Sequence, residues 1–61
     1  IMQYNVYVQG KKYRLFSTKD GVQPVDIYDQ INEDIKLGDL VVDESMPLDI
    51  RIVPVGTSLF E

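Results

Sequence analysis

The chain has 61 residues, which is one domain's worth. With no cysteine and no histidine, it has no disulfide, no thiolate metal site and no imidazole general base. Its composition, 44% hydrophobic and 26% charged with a net charge of −4, is that of an ordinary globular domain rather than a disordered or membrane-spanning one.

A chain this short buries only about 60% of the surface that its unfolded form exposes, so its stability is marginal. Small domains without disulfide or metal staples commonly lean on association, so another protein or self-association is the expected partner. The charge is polarised along the chain. Residues 1–19 carry Lys11, Lys12, Arg14 and Lys19 and no acid, whereas residues 20–61 carry ten acids against Lys36 and Arg51. The plain reading is mutual neutralisation across the fold. The sharper one is a dipolar module that docks to a charged partner or stacks head to tail. Met2 follows Ile1, which leaves open a start at Met2 or a piece of a longer chain, and no signal-peptide pattern opens the sequence.

Met2, Tyr4, Val6 and Val8 alternate with Gln3, Asn5, Tyr7 and Gln9. This period of two marks a strand with one buried face. Gly10 suits a hairpin turn, although Gln9 is a weaker choice there than Asn or Asp. Residues 11–16 form the return strand, with an ambiguous parity: Tyr13 and Leu15 against Phe16. Asp20-Gly21 signals a loop. Pro24 fits the first position of a helix, and Ile27, Ile31 and Ile35 fall on one helical face with Tyr28 beside it. Asp26 and Asp29 near the start, Lys36 near the end and Gly38 just beyond complete a helix over about 24–37. Residues 39–43 read as a short strand or extended segment and 44–47 as a turn.

The last run, 48–55, alternates at Leu48, Ile50 and Ile52 around Asp49 and Arg51 and then becomes apolar on both parities. Apolar residues on both faces indicate a strand with neighbours, entering the middle of a sheet. Pro54, lacking an N–H, is expected to end the ladder or sit at a bulge. The expected architecture is α+β: a small β-grasp-like ββαββ mixed sheet with one helix packed on one face. Its first and last strands lie side by side and parallel, and the helix covers Met2, Val6, Val8, Ile50 and Ile52.

This order resembles the ubiquitin-like β-grasp class over nearly the whole chain. A conjugated modifier of that class would end in Gly-Gly; here only Gly56 stands near the end, which argues against ligation chemistry. Within the class, the segment Pro47-Leu48-Asp49-Ile50-Arg51-Ile52-Val53-Pro54-Val55 is similar to the last strand of the ubiquitin-like domain in lambda-type phage tail-assembly proteins. That resemblance implies a non-enzymatic assembly role in a virus, hence a cytoplasmic or virion location. The glycine- and alanine-rich stretch that follows in that family is missing.

No residue set has the pattern of a catalytic or cofactor site, so the expectation is a non-enzymatic protein-interaction module without cofactor or metal. The candidate contact residues are Tyr7, Tyr13, Arg14 and Phe16 on the hairpin and Leu59 and Phe60 in the tail, since aromatics and arginine anchor interfaces. Edge-strand extension by a partner is the other route. Asp26, Asp29 and Glu33, three and four residues apart, share a helical face that could hold a divalent cation; the plain reading is a solvated face. From 26 to 49 the chain carries eight acids and one lysine. This supports the alternative of a small acidic, DNA-mimic-like inhibitor of a nucleic-acid-processing enzyme. Three hairpin cations on a net acidic chain argue against direct nucleic-acid binding.

Overall fold

The computed structural model describes residues 2–19 and 24–56. Among them are three strands, β1 (Met2–Val8), β2 (Lys11–Thr18) and β3 (Ile50–Pro54), and one helix, α1 (Pro24–Leu37). The sheet order is β2-β1-β3 and both pairings are antiparallel. The fold is therefore a small α+β domain with a three-stranded antiparallel sheet.

Two expectations are corrected. The last strand is antiparallel to β1, not parallel, and it lies on an edge, leaving β1 as the central strand. Among the described residues the sheet is antiparallel throughout, not mixed, and the order is ββαβ. The physical reason lies in residues 39–43, which join no ladder. A strand there followed by a turn would have reversed the chain once more and brought the last strand in alongside β1 in the same direction. Without that reversal the chain enters β3 beside Val8, at the hairpin end, and runs back toward Met2. Being antiparallel to the same neighbour, β2 and β3 are parallel to each other with β1 between them. The strand also begins at Ile50, so Leu48 is exposed rather than paired.

The hairpin turns on Gln9 and Gly10, both at positive φ (51° and 80°). This is the two-residue turn whose twist matches the flanking strands. In β2 the register slips, with Val6 opposite Arg14 but Tyr7 opposite Lys12. Tyr13 is the extra residue of a bulge. The bulge resolves the ambiguous parity, because it lets Tyr13 and Phe16 both meet the core.

The core is Tyr4, Val6, Val8 and Phe16 from the sheet against Ile27 and Ile31 from α1, with Ile35, Leu40, Val42, Ile50 and Ile52 partly buried around it. Met2, expected under the helix, is instead exposed, and Tyr4 fills the role. Helix α1 ends in a Schellman cap. Gly38, at φ 81°, donates to the Ile35 carbonyl (3.1 Å) and Asp39 to the Asp34 carbonyl (2.9 Å).

The middle of the segment 38–49 is clamped by Gln9. The Gln9 amide donates from Nε2 to the Asp43 carbonyl (2.8 Å) and accepts from the Asp43 N–H at Oε1 (2.9 Å), while the Gln9 N–H donates to the Asp49 carbonyl (2.7 Å). Gln9 thus satisfies residue 43 as a neighbouring strand would. This explains glutamine in a turn position that favours Asn or Asp.

Candidate binding surfaces

The hairpin aromatics do not form one surface. Register places Tyr4, Val6 and Val8 on the helix side, so Gln3, Asn5 and Tyr7 face the other way. Phe16 pairs with Tyr4, is 7% exposed and belongs to the core. Tyr13 is half-buried on the helix side. The Arg14 guanidinium lies over the Phe16 ring (4.1 Å to its centroid) and near Tyr13 (5.8 Å), covering both rings by cation–π contact. Leu59 and Phe60 lie outside the described residues.

The face opposite α1 is open: no described element packs on it. Tyr7 stands at its centre with Lys12 opposite on β2 and Arg51 opposite on β3. The next row is Leu15, Asn5 and Val53, with Leu15 47% exposed. Arg51 also pairs with Asp49 at 3.5 Å. Both partners are well exposed, so this bridge adds little to stability.

Behind Tyr13 is the one buried charged side chain among the described residues, Asp34. Its carboxylate accepts from the Tyr13 hydroxyl at 2.7 Å and from Gln30 Nε2 at 2.9 Å. The Tyr13 bond, then the Gln30 bond, holds the Asp34 carboxyl below its ordinary range. The same bond, with burial, pushes the Tyr13 phenol up. This hydrogen bond, from a neutral phenol to a charged carboxylate, ties β2 to α1. Sequence reasoning passed over Asp34. The available signal was its place on the apolar stripe, three residues after Ile31 and seven after Ile27.

At the hairpin end a groove of about 500 Å³ opens on the helix side, where α1 has already ended. Val8, Lys11, Lys12 and Tyr13 form one wall, and Leu40, Val41, Val42 and Met46 the other. Asp43 also lines it; its carboxylate is engaged by the Ser45 hydroxyl (2.6 Å) and N–H (2.9 Å). These bonds hold that carboxyl below its ordinary range.

Asp26, Asp29 and Glu33 are exposed on α1. Among the described residues no three acids come close enough to hold a metal ion, and no helix is long and apolar enough to cross a membrane. Compared with family models, curated proteins and solved structures, the chain matches none.

Proposed function

We propose that this protein is a non-enzymatic protein-interaction module whose contact surface is the open sheet face centred on Tyr7. The observation that carries the reading is that face itself: an aromatic ring between two cations, next to Leu15 and Val53, with no described element packed on it. Aromatic and arginine side chains on a rigid sheet are the usual anchors of an interface. Lys12 and Arg51 suit a partner with an apolar centre and an acidic rim. A place in a viral assembly is the particular case suggested by the resemblance of the 47–55 segment, and it would require no further chemistry from this chain.

The test replaces Tyr7→Ala together with Leu15→Ser, both on the open face and away from the core. A partner isolated with the wild-type protein should lose most of its affinity in calorimetry, since anchors of this kind cost about 2 kcal/mol or more when truncated. Unchanged affinity would put the contact elsewhere.

A second reading, an acidic inhibitor of a nucleic-acid-processing enzyme, is favoured by the exposure of Asp29 and Glu33 on the opposite side of the molecule. It requires that binding weaken steeply with salt and that Asp29→Lys with Glu33→Lys abolish it.

A further inference from the structure

We propose that the free edge of β2, with the groove beside it, takes an extended acidic and apolar segment of another protein as an added strand. This surface shares Lys12 with the open face around Tyr7 but lies on the helix side of the sheet.

Three observations converge. First, among the described residues β2 is an edge strand of eight residues without proline, and alternate N–H and C=O groups of such a strand point away from the sheet. The segment 38–49 does not cover them: its backbone hydrogen bonds run to Gln9, to the helix end and within itself. Second, the groove lies along the start of this strand and its far wall is mostly apolar, with the one acid in it, Asp43, engaged by Ser45. Val41, in that wall, is 88% exposed and Met46 is also exposed, an unusual position for two large apolar side chains at a pocket mouth. Third, β2 carries Lys11, Lys12 and Arg14 and no acid, on a chain whose net charge is −4.

The charges choose the occupant. Pairing β2 with β2 of a second copy sets no acid opposite Lys11, Lys12 or Arg14 in any register, so self-pairing leaves these cations unmatched. A strand carrying Asp or Glu meets the opposite condition. In an added strand side chains alternate, so one set reaches the groove of Tyr13, Leu40, Val42 and Met46 while main-chain bonds supply the pairing. Lys11 shares the side of Val8 and lies at the groove wall, where an acid of the incoming strand can reach it.

The probe is a fluorescent heptapeptide of alternating valine and aspartate. Its controls are a valine–lysine counterpart and two versions N-methylated at every second amide, one in each register. The aspartate peptide should bind. The lysine peptide and one of the two methylated peptides should bind about tenfold more weakly or worse, since each loses either the charge match or the ladder. Amide exchange should slow at alternate residues of β2. Lys11→Glu and Val41→Asp, both at exposed positions, should each weaken binding about tenfold, whereas Tyr7→Ala should not change it. No binding by the aspartate peptide, equal binding by the lysine peptide or by both methylated forms, or no protection in β2 would each overturn the proposal. If Tyr7→Ala abolishes binding and Val41→Asp does not, the peptide sits on the open face. That result sinks this inference and leaves the open-face reading standing.

Discussion

The two edges of the sheet are built differently. The β3 edge is five residues long and contains Pro54. Val55 turns its N–H inward to the Gln3 carbonyl (2.8 Å), so the neighbouring position, Pro54, is the one whose N–H would point outward. Proline there removes a donor from the free edge at no cost to the ladder. Tyr28 on α1 further engages that strand through its hydroxyl, 3.5 Å from the Ile50 carbonyl. The β2 edge is longer, has no proline, and carries the Tyr13 bulge and three cations instead. Proline withholds a donor from any incoming strand, whereas lysine and arginine disfavour only strands that are themselves cationic. One edge has lost an outward donor at Pro54; the other keeps its donors and carries cations and no acid.

The largest effect expected on this comparison comes from removing what the edges share. Ile31 is fully buried between α1 and the sheet. Ile31→Ala should cost about 2–5 kcal/mol in urea unfolding, and amide exchange should accelerate at both edges together. A loss confined to one edge would mean that the edges do not share a core.

Tyr13→Phe acts on the β2 side alone. It leaves the buried Asp34 carboxylate short of its main donor, at a cost of about 1–3 kcal/mol. Its signature is in the pH dependence. Because the folded carboxyl titrates below its unfolded value, its stabilisation is complete above the unfolded pKa of about 3.9 and is lost as pH falls through the folded one. The raised Tyr13 phenol contributes stability that is complete below about pH 10 and is lost as pH rises through its folded pKa. In Tyr13→Phe the acid limb of stability against pH should become shallower and the alkaline loss from this phenol should vanish.

Gln9→Asn keeps a residue tolerant of positive φ but shortens the side chain by one methylene. It should cost about 1 kcal/mol and raise amide exchange at Asp43, with β2 little changed. The smallest effect on stability, within about 0.5 kcal/mol, is expected for Pro54→Ala. Its consequence should be visible in light scattering instead, as self-association through a β3 edge that has regained its donor. A monodisperse Pro54→Ala protein would show that the proline does not guard this edge.

The elements that local chemistry specifies were legible in the sequence. Alternation from Met2 to Val8, the isoleucines four apart, Pro24 and Gly38 each act within a few residues, and the helix falls on 24–37 as expected. What was not legible depends on distant partners. The direction of β3 turned on whether 39–43 pairs with anything, and the answer is a side chain 34 residues away. The bulge at Tyr13 is invisible to a period of two, so Tyr13 and Phe16 looked like rivals for one face. Asp34 was hidden by its residue type, since a carboxylate reads as surface until a phenol is known to face it. Among the candidate contact residues, Tyr7 kept an outward position while Phe16 was needed by the core.

The Gln9 clamp also bears on the order in which the molecule assembles. The hairpin closes over two residues, an event of about 1–10 μs for isolated hairpins, and its contacts are local. Only once that turn has formed does the Gln9 amide stand in a fixed orientation for a peptide group 34 positions further along the chain. If the hairpin forms first, the long-range seating of 38–49 and then β3 would meet a ready-made template. A glutamine in a tight turn reduces the search through which so short a chain finds its third strand.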